Sequence, residues 1–95
     1  MLEKIKLRCG IPEQITVYDS EFQMLIDDCI ADMKSAGVPD RLIFQYNGET
    51  DERVLTAITL YVQALRGSDR TDTDKYLELY HRRVFKLSLE PDEDF

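Results

Sequence analysis

The residues able to do chemistry are few. Cys9 and Cys29 are the two cysteines, and His81 is the one histidine. Two thiols and one imidazole fall short of a structural zinc set, and neither cysteine belongs to a C-x-x-C pair. They read as free, buried thiols in a reducing compartment, although a Cys9–Cys29 disulfide stays open at this point. His81 precedes Arg82 and Arg83 with no partner spaced for nucleophilic catalysis, so it reads as a partly exposed helix residue. Asp27, Asp28 and Asp32 cluster without the glycine turn and regular alternation of a calcium loop. No glycine-rich phosphate loop and no H-E-x-x-H is present. No catalytic residue, no metal ligand and no cofactor is therefore assigned, and such a chain works by binding.

Charge narrows what it binds. Nineteen Asp and Glu against twelve Lys and Arg give a net charge of −7 over 95 residues. A protein that grips nucleic acid needs a basic patch that displaces counterions from phosphate. A negative wall is compatible with surrounding a duplex without holding it, because repulsion keeps a sliding polyanion off the surface. The N-terminus MLEKIKLR lacks the apolar stretch of a signal peptide, and no run is long and uncharged enough to span a bilayer. The expectation is a cytoplasmic protein without membrane contact.

The elements that position these residues follow from apolar periodicity. The stretch 51–66, DERVLTAITLYVQALR, is the most apolar. Val54, Ile58, Tyr61 and Leu65 keep helical spacing, and Leu55, Ala57, Leu60 and Val62 widen the stripe, which predicts a central helix covered on more than one side. Asp51 is placed to cap it and Gly67 to end it. Leu2, Ile5 and Cys9 outline a short N-terminal helix with Lys4, Lys6 and Arg8 off its apolar side, ended by Gly10 and Pro12. Asp19 reads as the N-cap of a helix over 20–36, in which Phe22, Leu25, Ile26, Cys29, Ile30 and Met33 form the buried face. Gly37 and Pro39 end it. Residues 38–50 are a long irregular link that pins Leu42, Ile43, Phe44 and Tyr46 onto the helices, with Asn47-Gly48 as a turn. After the polar loop GSDRTD a last helix is expected over 74–89, its buried stripe carrying Tyr76, Leu77, Tyr80, Val84 and Leu87. The fold class is all-α: a small bundle of three main helices plus a short N-terminal helix. The domain spans residues 1–89. Residues 90–95, EPDEDF, form an acidic tail that either solvates or orders on a basic partner with Phe95 as its anchor.

In sequence order these pieces resemble the head–tail connector proteins of long-tailed bacteriophages and prophages, also called adaptor, head-completion or DNA-packaging proteins. The resemblance is carried by a short first helix ending near Leu7-Arg8-Cys9-Gly10, by Tyr18-Asp19-Ser20-Glu21 opening a helix that closes at Ala36-Gly37, and by a variable loop. The strongest piece is Ala57-Ile58-Thr59-Leu60-Tyr61-Val62-Gln63-Ala64, similar to the A-I-x-L-Y-V core helix of that family. A polar loop and a last helix bearing Tyr76 and Tyr80 complete it. The acidic, proline-containing C-terminus fits the pattern least.

The resemblance implies a structural, non-enzymatic protein. Its subunits would form a ring under the portal, extend the channel through which the genome leaves the capsid, and offer a surface to the stopper or tail-completion protein. DNA would pass without sequence-specific binding. The place would be the virion neck, with host cytoplasm during assembly. A ring needs heterologous contacts, in which one patch meets a different patch on the next copy. Asp27, Asp28 and Asp32 would then face Arg82, Arg83 and Lys86 across the subunit boundary, setting register more than affinity. Glu90, Asp92, Glu93, Asp94 and Phe95 would dock on the portal. A second class accounts for the same charge: a small acidic regulator, such as a DNA mimic or antitoxin, that sequesters a basic partner as a monomer or dimer.

Overall fold

The computed structural model describes residues 1–44, 49–66 and 70–91, leaving out the side chains of residues 70 and 71. Among the described residues it is all-α, with five helices: α1 (Leu2–Arg8), α2 (Asp19–Ser35), α3 (Asp40–Ile43), α4 (Glu52–Arg66) and α5 (Arg70–Ser88). The central helix is α4, which packs against α1, α2 and α5. Its Val54, Leu55, Ala57, Ile58, Val62 and Ala64 are buried, an arc too wide for one neighbour to cover.

Helix starts depart from expectation where a side chain found a stronger partner than its own backbone. Asp51 caps α4 as the sequence predicts, accepting the Arg53 backbone N–H at 2.8 Å. Asp19 does not cap α2. The cap position is Tyr18, which makes no side-chain cap bond, and the Asp19 carboxylate stands 2.7 Å from Lys6 Nζ. Lys6 in turn corrects the polar side given to α1: it is 1% exposed. Its stem lies in the core while its ammonium reaches Asp19 and the carbonyl of Glu13 at 3.1 Å. Helix α5 begins at Arg70, four residues before the expected Asp74. The sequence offers several caps over residues 71–74, and of these Thr73 instead donates its hydroxyl to the Ala64 carbonyl at 3.0 Å and ties α5 to the end of α4.

Gly37 closes α2 as expected. Its φ of 94° is the left-handed conformation that glycine adopts without steric cost. It lets Val38 N–H reach the Met33 carbonyl at 3.0 Å and Gly37 N–H the Lys34 carbonyl at 3.1 Å, the two bonds of a Schellman closure. The link after it is not wholly irregular. Pro39 leads into the single turn of α3, which buries Leu42 and Ile43, and the Asp51 N–H donates to the Leu42 carbonyl at 3.0 Å. Tyr46, the Asn47-Gly48 turn and Gly67 lie outside the described residues.

Of the expected core, Phe22, Leu25, Ile26, Cys29, Met33, Val54, Ile58, Tyr80 and Val84 are buried. Ile30, Tyr61 and Tyr76 are half-buried. Leu65 is 46% exposed. It sits in the last turn of α4, where its neighbours Ala64 and Arg66 bond to Thr73 and Glu21. Phe44, expected to be pinned onto the helices, is 56% exposed, with the Lys34 ammonium 5.9 Å from its ring centroid. Ile5, Val38, Leu42, Ile43, Leu55, Ala57, Val62 and Leu87 join them in the core.

Candidate assembly surfaces

The groups that could have been reactive are used to hold helices together. Both cysteines are free. Cys29 Sγ donates to Tyr80 Oη across 3.6 Å, and Tyr80 Oη donates to Asp32 Oδ2 at 2.6 Å, a polar chain joining α2 to α5. Burial pushes the Cys29 thiol up to about 12. Burial first, then the bond to Asp32, raises the Tyr80 hydroxyl far above its ordinary value. A thiol held protonated is a poor nucleophile and a poor metal ligand. The Tyr80 ring lies 5.2 Å from that of Tyr61 and 5.4 Å from that of His81. His81 is exposed. Among the described residues no group of three His, Cys, Asp or Glu is placed to hold a metal ion.

The acidic surface lies along α2. Asp27, Asp28 and Asp32 are all exposed. Asp27 accepts from Gln23 Nε2 at 2.9 Å, and Asp32 spends one oxygen on Tyr80. Met24, Asp27, Asp28 and Ala31 follow i, i+3, i+4, i+7 and are exposed throughout, so they share the outer face of α2. Met24 is 57% exposed, an apolar side chain bordered by two carboxylates. Spacing in the sequence marks Phe22, Leu25, Ile26, Cys29, Ile30 and Met33 as the inner face, and the second stripe starting at Met24 is visible by the same spacing.

The basic surface is more than a charged edge. A groove of about 520 Å³ runs between α4 and α5, lined by Arg53, Thr56 and Leu60 of α4 and by Leu79, Arg82, Arg83, Lys86 and Leu87 of α5, with Glu90 at one end. Leu60, Leu79 and Leu87 give it an apolar floor. Arg82 pairs with Glu78 one turn away at 2.6 Å, an exposed contact worth little. Arg83 and Lys86 have no ion-pair partner among the described residues. The sequence brought Arg82, Arg83 and Lys86 together by spacing, but the partners from α4, 22 or more positions earlier, carried no signal without knowledge of how the helices pack.

The two surfaces flank α4 from different sides. Helix α2 meets α4 through Arg66, whose Nε is 3.0 Å from Glu21 Oε1 and whose guanidinium lies 4.4 Å from the Phe22 ring centroid. At about 100° per residue, Leu55, Val62 and Arg66 point one way from the α4 axis and Arg53, Thr56 and Leu60 another, well over a right angle apart. No carboxylate of the acidic set pairs with a cation of the basic set within the described chain.

The start of the expected tail is tied down. Arg41 donates Nε and Nη2 to the Pro91 carbonyl at 3.1 and 2.9 Å. Glu90 pairs with Arg53 and, at 3.8 Å, with Arg41. Arg53 also holds the Asp51 carboxyl below its usual range. Asp92, Glu93, Asp94 and Phe95 lie outside the described residues.

Among the described residues no helix is long and apolar enough to cross a membrane. Neither the curated proteins nor the solved structures hold a match to the chain. The family model described as phage connector protein matches residues 1–94. A small all-α bundle whose polar core groups serve packing, and whose outer surfaces carry separated charge, therefore belongs to the phage connector family, the structural head–tail connectors of the virion neck.

Proposed function

We propose that this connector is one subunit of a ring that sits under the portal, extends the DNA exit channel and receives the stopper or tail-completion protein. The observation that supports this reading most is the pair of oppositely charged surfaces on different sides of α4. A patch that meets a different patch on the next copy builds a closed ring when the rotation between them closes. Asp27 and Asp28, with the outer part of Asp32, would face Arg82, Arg83 and Lys86 of the neighbour and fix its register. The net charge of −7 suits a channel wall that polyanionic DNA slides past without being held.

The test is the mass of the purified protein by light scattering, alone and mixed with portal protein of the same genome. A large closed oligomer in either sample is the expected result. Replacing Arg82→Glu together with Arg83→Glu should weaken that assembly by about tenfold or more, since like charges would then oppose across the boundary. Helical content should not change, because Arg82 is well exposed and Arg83 is only half-buried. Unchanged assembly by the double variant would remove the charged surfaces from the interface.

The C-terminal residues remain our candidate for portal docking. Because Glu90 and Pro91 are held by Arg41 and Arg53, the informative truncation removes residues 92–95 and leaves those contacts in place. Loss of portal binding at an unchanged melting temperature is expected. Normal binding by the truncated chain would show that the portal reads another surface.

A further inference from the structure

The groove between α4 and α5 is built like a socket, and the outer face of α2 like the plug that fits it. We propose that Met24 of one copy seats on Leu60 and Leu79 in the groove of the next copy, with Asp27 and Asp28 meeting Arg82, Arg83 and Lys86 around it. The proposal rests on the ring reading and supplies its missing apolar contact. Charges at an interface steer and orient, while affinity comes from a few desolvated anchors at its centre. Neither charged surface alone offers such an anchor. The groove offers an apolar floor under a cationic rim, in about 520 Å³. On α2, Met24 is 57% exposed, with Asp27 and Asp28 one turn further along and the small side chain of Ala31 two turns along the same face. Methionine is unbranched and adapts to irregular space. The match is of both kinds at once, apolar centre to apolar centre and acidic border to basic border.

The placement selects a second copy as the occupant. Plug and socket lie on different sides of α4, so they cannot meet within one chain. They are also different surfaces, so the contact repeats head to tail rather than closing as a symmetric pair. Asp32 stands apart from the plug, because its Oδ2 is bonded to Tyr80.

The experiment is a charge swap read by light scattering, with the portal protein present if the native chain assembles only there. Met24→Lys sets a cation against the cationic groove, and Leu79→Glu sets an anion against Asp27 and Asp28. Each single variant should lose the large oligomer while keeping native helical content and melting temperature, since both positions are surface-exposed. The double variant Met24→Lys/Leu79→Glu restores opposite signs at the contact and should recover the oligomer. Assembly by either single variant, or a double variant that stays dissociated, would overturn the assignment. Loss with Leu79→Glu but not with Met24→Lys would mean that the groove takes another occupant, such as the C-terminal residues or the portal. If the native chain itself forms no closed oligomer with or without portal, the ring reading fails first.

Discussion

Replacing Tyr80 by alanine is expected to cost about 3–5 kcal/mol, the range for removing a large buried aromatic. Tyr80 is the largest fully buried side chain. It ties two other helices to α5, α4 through the Tyr61 ring and α2 through Cys29 and Asp32. A domain of this size has a total stability of about 5–15 kcal/mol, so the variant would lose a large part of it. Tyr80→Phe keeps the ring and removes the hydroxyl. Asp32 is exposed and can turn to water, so that change should cost only about 1–2 kcal/mol. Urea denaturation followed by helical signal measures both. An alanine variant no weaker than the phenylalanine one would mean that the hydrogen bond and not the ring carries the contact.

The same cluster gives a pH signature. Tyr80 and Cys29 both hold their protons more tightly folded than unfolded. In the unfolded chain they ionise near their ordinary values of about 10 and 8.5. Their contribution is therefore fully present below those values and falls as pH rises above them, by up to about 1.4 kcal/mol per pH unit for each group. Stability should decline from about pH 9 upward. Tyr80→Phe removes the tyrosine share of that slope, so its stability curve should run flatter in alkali than that of the native chain.

The helices were legible because apolar spacing sets them. In α2 the positions 22, 25, 26, 29 and 33 admit one buried face, and in α4 the arc is so wide that only a central position accommodates it. What stayed hidden were choices between partners. Nothing local told Asp19 to leave the helix cap for Lys6, which lies in another helix, or Thr73 to bond to Ala64 instead of starting α5. A lysine between apolar residues reads as surface until an acid is known to face it. Leu65 shows the converse, since spacing places it on the core face but in the last turn of α4 it is 46% exposed. The assembly surfaces were half visible. Charge clusters can be read from sequence, but a groove is made by two helices, and its floor of Leu60, Leu79 and Leu87 came into being only when α4 met α5. The reactive-looking residues went the same way: Cys29 acquired a packing role from Tyr80, 51 positions later.

Breaking the Lys6–Asp19 pair is the second large effect expected, and its size depends on which partner is removed. Lys6 has a side chain 2% exposed, whereas that of Asp19 is 34% exposed. The contact is one of charge, for Asp19 Oδ1 is buried without hydrogen-bond geometry to any donor. Asp19→Ala leaves a buried ammonium with only the Glu13 carbonyl to offset it, and should cost about 3–5 kcal/mol. Lys6→Met keeps the buried stem and leaves the carboxylate, which water can partly reach, so about 1–3 kcal/mol is expected. The double variant Lys6→Met/Asp19→Leu should be more stable than Asp19→Ala, because no charge is left uncompensated and an apolar pair can fill the same space. Urea denaturation of the three variants gives the order. If Lys6→Met proved costlier than Asp19→Ala, the buried lysine would owe its place to its bond with Glu13 and not to Asp19. The contact matters beyond its own energy. It holds α1 to the start of α2, and α1 also reaches α4 through Arg8, which bonds Thr56 at 3.2 Å and pairs with Glu52. Thr56 lines the groove. A chain that loses the Lys6–Asp19 pair loosens the helix whose Arg8 holds Thr56 of the socket, so weaker assembly should accompany lower stability in Asp19→Ala, and both should return together in the double variant.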